Sequence, residues 1–322
     1  MKRIVTLLLI FNGYMSVFSQ EQFLFTNDYL APFMTNPACT GSEYYPVAHS
    51  SIKKQWLGFS ESPITYLVAG NYRIGSYDFY NPKGLVNKGP LKIKNRIGIG
   101  MAFFQDNFGP QTYNGGLFSY AYHLPVDRES KISFGMSVLL ANNKIYTSLL
   151  DPNDKNDPFL LTDQNGGFSM NFATGIYYYN NAYFLGISAN KMVINKSQGN
   201  NPIKNNTFSY FMMGGFKFLN GNTRISIEPS VSLKKIYKEP LIINVHSKVY
   251  LPGLNWIAFS YSSIQQLNIQ FALRLYKKLY AGYNYGFTIG KIAAYNYGTH
   301  EILLGLNMGL VGVKGIRNLV NK

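Results

Sequence analysis

One cysteine, Cys39, stands in 322 residues, so neither an intrachain disulfide nor a multi-cysteine metal centre is available. Cys39 is not at a lipobox position either, and reads as a buried or membrane-facing thiol. Charge is scarce: 14% of residues are Asp, Glu, Lys or Arg, against about 25% in an ordinary soluble domain. Acidic residues are the rarer sign, 15 against 30 Lys and Arg, for a net charge of +15. No apolar run reaches the ~20 residues of a spanning helix, and mean hydropathy is −0.08. Together these exclude a bundle of membrane helices.

Chemical motifs are missing too. There is no G-x-G-x-x-G, G-x-x-x-x-G-K-[ST] or H-E-x-x-H, and Gly98-Ile99-Gly100 reads as a small-residue lumen stripe, not a phosphate loop. His49, His123, His246 and His300 are scattered without ligand spacing. Asp151, Asn153, Asp154, Asn156 and Asp157 lack the Gly and terminal Glu of an EF-type calcium loop and read as a solvated turn. No catalytic, cofactor-binding or metal-binding set is nominated, and the expectation is a protein that is not an enzyme. The cations lie scattered over turns and loops with no basic run. Nucleic acid is therefore not the expected partner, and anionic lipid headgroups are the simpler one.

What is present points to β-structure. Apolar residues make 46% and aromatics 16% of the chain, with 30 Gly, too apolar for disorder. At the N-terminus, Lys2 and Arg3 precede an apolar core from Ile4 to Phe11 that continues weakly to Phe18. Val17-Phe18-Ser19 then supplies a small-residue ending. Residues 1–19 read as a secretory signal peptide, with the mature chain beginning near Gln20 or Glu21 and carrying +13 once Lys2 and Arg3 are gone.

Strict alternation dominates the rest. Ile97, Ile99, Met101 and Phe103 alternate with Gly98, Gly100 and Ala102. Ile269, Phe271, Leu273 and Leu275 alternate with Gln270, Ala272 and Arg274, and Ile302, Leu304, Leu306 and Met308 with Gly305, Asn307 and Gly309. Successive strand side chains point to opposite faces, so each segment has an apolar face and a small or polar one. Soluble sandwiches alternate as well. Three features favour a bilayer: segments of about ten residues, opposite faces rich in Gly, Ser, Asn and Gln, and aromatics at segment ends. Tyr177-Tyr178-Tyr179, Tyr276, Tyr280, Tyr295 and Tyr297 are assigned to interfacial girdles.

Fourteen strands are expected: 45–54, 65–73, 96–105, 112–124, 131–140, 169–179, 182–190, 209–218, 224–235, 241–250, 255–261, 268–276, 279–288 and 301–310. Short turns at 125–130, 180–181, 219–223, 251–254 and 277–278 alternate with long connections at 141–168, 191–208 and 289–300. The 75–95 connection breaks that alternation. The fold class is all-β, a transmembrane antiparallel barrel with short periplasmic turns and long extracellular loops in a bacterial outer membrane. Residues 20–44 form an N-terminal periplasmic or plug segment, 45–310 the barrel, and 311–322 a basic tail.

Several ordered signals remain. Asn36-Pro37-Ala38-Cys39-Thr40-Gly41 precedes the first strand. Gln55-Trp56-Leu57-Gly58 and Pro63-Ile64-Thr65 frame the first hairpin, and Asp106-Asn107-Phe108-Gly109-Pro110 the second. Tyr283-Asn284-Tyr285 and Gly298-Thr299-His300-Glu301-Ile302 close the series. In this order they resemble the PorP/SprF family of type IX secretion system outer-membrane proteins over essentially the whole mature chain. Departures are Lys53/Lys54 where Arg is usual, Gly286 where Asp follows the Tyr pair, and Thr299 for Ser.

The resemblance implies an accessory barrel that supports secretion or surface anchoring of a cognate cargo. That cargo would be a large adhesin with a C-terminal signal domain, including adhesins of gliding motility. Implied partners are the adhesin or its C-terminal domain, other type IX components and outer-membrane lipid. On this reading His300, Glu301, Trp56 and Asp106 shape a receiving surface or fix the loops around it. A passive porin or hydrophobic-substrate channel shares the architecture. An outer-membrane hydrolase would need a Ser/His/Asp set that the sequence does not supply.

Overall fold

A computed structural model describes residues 30–43, 46–74, 96–127, 129–149, 166–198, 201–220, 225–237, 239–251, 255–264, 266–276, 278–289 and 291–307. The expected signal peptide, the 75–95 connection, the Asp/Asn turn at 151–157 and the basic tail lie outside them.

The strands are β1 (Val47–Lys54), β2 (Ile64–Arg73), β3 (Ile97–Phe108), β4 (Gln111–Pro125), β5 (Lys131–Ile145), β6 (Gly166–Tyr179), β7 (Tyr183–Gln198) and β8 (Asn201–Phe216). They continue with β9 (Phe218–Asn220), β10 (Ile225–Ile236), β11 (Ile242–Tyr250), β12 (Trp256–Ser262), β13 (Gln266–Tyr276), β14 (Leu279–Thr288) and β15 (Thr299–Asn307). Every pairing is antiparallel, each strand pairs with its neighbour in sequence except that β8 skips β9 to pair with β10, and β1 pairs with β15 to close the sheet. Closure leaves no unpaired edge, which lipid would not tolerate.

β8 and β9 form one stave of a 14-stave barrel. Both pair with β10 on one continuous register, Ser230 opposite Gly215 and Ile227 opposite Phe218. Between those pairs stand Glu228 and Pro229, the proline without an N–H for the ladder, and Lys217, in line with Glu228, turns its N–H to the Ala182 carbonyl at 2.7 Å.

Alternation sets the faces. In β15, Ile302 is 62% exposed and Glu301 beside it only 3%. The apolar face meets lipid and the other face meets the lumen. Two short turns at the end where β1 begins and β15 finishes are closed by Asx contacts. Asn180 Oδ1 accepts from the N–H groups of Ala182 and Tyr183 at 2.8 and 2.7 Å. Asp127 accepts from Glu129 and Ser130, which holds its carboxyl below the usual range.

Three expectations need correction. The 191–208 connection is not an irregular loop: β7 and β8 remain paired out to Gln198 opposite Asn201. That ladder runs through polar sequence, where pairing needs no lipid-facing apolar side. The 141–168 connection is likewise shortened by strand at both ends, Ala141–Ile145 and Gly166–Phe168. Tyr177, Tyr179 and Tyr280 are not girdle residues. Their parity turns them into the lumen, where each is buried, whereas Tyr276, Tyr295 and Tyr297 are exposed.

Candidate functional site

The lumen is occupied by the chain's own N-terminal segment. Residues 30–43 form two 3-10 turns, Pro32–Met34 and Pro37–Cys39, each led by a proline whose fixed φ suits the first position. Asn36 caps the second turn by accepting from the Ala38 N–H at 3.0 Å and donates its Nδ2 to the Ile176 carbonyl at 3.2 Å. Inward-facing wall residues hold the segment by its backbone. Ser133 donates to the Ala38 carbonyl at 2.6 Å, Ser188 to the Thr35 carbonyl at 2.7 Å, and Asn71 accepts from the Gly41 N–H at 3.0 Å. Phe33, Met34, Ala38 and Cys39 pack against Ala69, Ala102, Leu117, Tyr177 and Phe184.

The plug lies so close to the wall that three wall positions must be glycine. A Cβ on Gly98, Gly135 or Gly175 would fall 2.0 Å from the Thr40 carbonyl oxygen, 2.2 Å from the Ala38 nitrogen and 2.1 Å from Asn36 Oδ1, respectively. The Gly98 stripe expected of the lumen is the imprint of this segment. Cys39 lies 3.8 Å from Met213 Sδ, and burial, reinforced by Glu43, pushes its thiol up.

A buried chain of polar groups locks the plug's end. Arg73 donates to the Tyr179 hydroxyl at 2.8 Å and Tyr179 to His123 Nδ1 at 2.9 Å. His123 Nε2 then donates to the Thr40 carbonyl at 2.8 Å, which fixes the neutral Nε2–H tautomer.

At the opposite, outer end the remaining motif residues meet. Gln55 N–H bonds to the Pro63 carbonyl at 2.9 Å, and Trp56, at φ 49°, sets its ring edge-on to Phe108 with centroids 6.5 Å apart. The first outer turn is tied to the last. Leu57 donates to the Gly298 carbonyl at 2.9 Å and accepts from the Tyr297 N–H at 2.7 Å. Gly58 (φ 113°) lies under the Tyr297 ring and Gly298 (φ 86°) under that of Tyr285, left-handed positions that favour glycine. Gly109 (φ 53°) and Pro110 turn β3 into β4, and Pro110 accepts from the Tyr146 N–H at 2.8 Å.

The structure separates His300 from Glu301. His300 lies on the outward face, accepting from the Tyr283 hydroxyl at 2.6 Å with its ring 5.0 Å from that of Tyr285. Glu301 points into the lumen, where Asn284 Nδ2 donates to it at 3.2 Å. Asp106 accepts from the Thr65 hydroxyl at 2.6 Å, whereas the ring partner of Trp56 is Phe108.

Register reveals a relation that motif reading missed. Gln270, Asn284, Glu301, Lys53, Thr65 and Asp106 stand directly opposite one another across β13, β14, β15, β1, β2 and β3. This is one continuous polar row on the lumen wall below the outer turns. Lys53 sits between the strands of the two carboxylates, and opposite charges on facing positions stabilise a sheet. Among the described residues no group of three or more His, Cys, Asp or Glu could hold a metal ion.

No curated protein matches the chain. Among solved structures, the toluene transporter TbuX of Ralstonia pickettii is similar with TM-score 0.49 and 10% identity, over 86% of this chain and 92% of that one. A TodX mutant, a monoaromatic hydrocarbon channel, gives TM-score 0.45 and 7% identity over 85% and 92%. The siderophore receptor PirA of Acinetobacter baumannii gives TM-score 0.36 and 8% over 75% and 43%. The family model for the type IX secretion system membrane protein PorP/SprF matches residues 17–306. With the barrel, plug and rim in place, that match makes the chain a member of the PorP/SprF family of type IX secretion outer-membrane barrels.

Proposed function

We propose that this barrel supports the secretion or surface anchoring of one cognate cargo, a large adhesin with a C-terminal signal domain, including adhesins of gliding motility. The observation that carries this reading is the interlocked outer rim, in which Leu57 bonds to both Gly298 and Tyr297 above the buried polar row. A rim held by main-chain bonds loses little freedom when a partner docks. Tyr295 and Tyr297, exposed beside it, are the kind of side chain that dominates binding energy at interfaces. The luminal segment 30–43 favours an anchor over a conduit, because cargo or solute would have to displace it. On this reading the barrel holds the cargo's C-terminal domain outside while other type IX components deliver it.

Deleting the protein is expected to leave the cognate adhesin inside the cell or released into the medium. Unchanged adhesin display in the deletion strain would overturn the reading. A passive channel makes a different prediction, steady conductance of the purified barrel in planar bilayers; the plugged barrel is expected to be silent.

A further inference from the structure

The lipid-facing wall is not uniformly convex. A groove of about 660 Å³ crosses strands β5 to β10, within the ~300–1,000 Å³ of typical ligand sites. One register row, Phe134, Ile176, Ile187, Met212 and Leu233, forms its apolar length. The next row towards the outer end is Thr174, Ala189, Tyr210 and Lys235. The floor includes Gly135 and Gly175, two of the three wall glycines against which the plug presses from inside.

Lys235 stands one residue from the outer end of β10, facing Tyr210 across the strands. Its ammonium donates to the Glu239 carbonyl, which leaves two of its three N–H donors for an acceptor outside the protein. A Lys at a strand end with a Tyr in register beside it belongs at headgroup level, and the apolar row below them lies at acyl-chain depth. An amphiphile with an anionic head satisfies both parts at once. A β-strand from a partner would need a free sheet edge, and a closed barrel has none.

We propose that this groove is a specific site for a phosphorylated acyl lipid of the outer leaflet, its chain along Phe134–Leu233 and its phosphate on Lys235. The site is independent of the cargo-binding rim.

The test uses the full-length protein in phosphatidylcholine vesicles with two photoreactive probes, phosphatidic acid and diacylglycerol carrying the same diazirine chain. Peptide mass spectrometry maps the adducts. Phosphatidic acid is expected to label Phe134, Ile187 and Met212 roughly fivefold more than diacylglycerol does, and more than it labels Ile302 and Leu304 on the β15 wall. Lys235→Glu should reduce phosphatidic acid to the diacylglycerol level, and Ala189→Trp, which fills the groove, should remove labelling by both probes. Heat-modifiable gel mobility confirms that each variant is folded. Equal labelling of the groove and the β15 wall, equal labelling by the two probes, or a second copy of the chain cross-linked into the groove would overturn the proposal.

Discussion

Asn36 Oδ1 occupies the space that any side chain at Gly175 would need, 2.1 Å from where its Cβ would lie, while Asn36 Nδ2 donates to the carbonyl of Ile176 next door. Plug and wall are thus fitted at main-chain distance, and Gly175→Val should push the plug off its seat. Overpacking costs about 1–3 kcal/mol, so exposure of Cys39 should rise roughly tenfold or more. Alkylation of Cys39 in outer-membrane vesicles measures it. The wild-type thiol, buried beside Met213, should label only after unfolding.

The Arg73–Tyr179–His123–Thr40 chain predicts a second effect. Tyr179→Phe keeps the ring that stacks on Tyr177 with centroids 5.1 Å apart but removes the hydroxyl between Arg73 and His123. A hydrogen bond to a charged group contributes about 1.5–3 kcal/mol. The variant should unfold at lower temperature in a heat-modifiability series, whereas Tyr178→Phe, outside the chain, should not.

Glu301 stands opposite Lys53 in the β15–β1 ladder. Glu301→Lys sets like charges face to face on a buried wall. Removing one partner of a buried pair costs about 3–5 kcal/mol, so little folded barrel should reach the membrane. The exchange Lys53→Glu with Glu301→Lys should recover much of it. Folded protein in membrane fractions, compared across the two singles and the double, measures the coupling.

At the rim, Gly298→Ala adds a Cβ at a left-handed position, 2.8 Å from the Gly286 carbonyl oxygen. The conformation alone costs about 1–2 kcal/mol, and the Leu57–Gly298 bond must shift. The barrel should still fold, because β14 and β15 keep their ladder, but cargo display should fall. Surface immunolabelling of the adhesin, normalised to folded barrel, reads the effect.

All fourteen staves are legible in the sequence because each carries a lipid-facing alternation, as at Ile97–Phe103 or Ile269–Leu275. The outer ends of β7 and β8 are not, since stretches such as Asn195-Lys196-Ser197-Gln198 pair beyond the hydrophobic belt and need no apolar face. Tyr177 and Tyr179 were open to misassignment because aromatic clustering suggests a girdle, whereas parity with outward Ile176 sends them inward. The plug's partners have no local signature: Asn36 reaches a carbonyl 140 positions away. Their trace is indirect, in the glycines at 98, 135 and 175. The polar row from Gln270 to Asp106 emerges only from register, which joins residues that no motif connects.

In the proposed role the outer rim receives a secreted cargo while the luminal segment stays in place. The most direct measurement places a photo-cross-linking residue at Tyr297 on the rim, with a control at Met136 on the exposed lipid face, in living cells. Cross-linked partners are then identified by mass spectrometry after mild detergent extraction. A secreted protein, attached through its C-terminal domain, is expected at Tyr297 and not at Met136. Cross-links to lipid alone at both positions, in cells that secrete the adhesin normally, would contradict it.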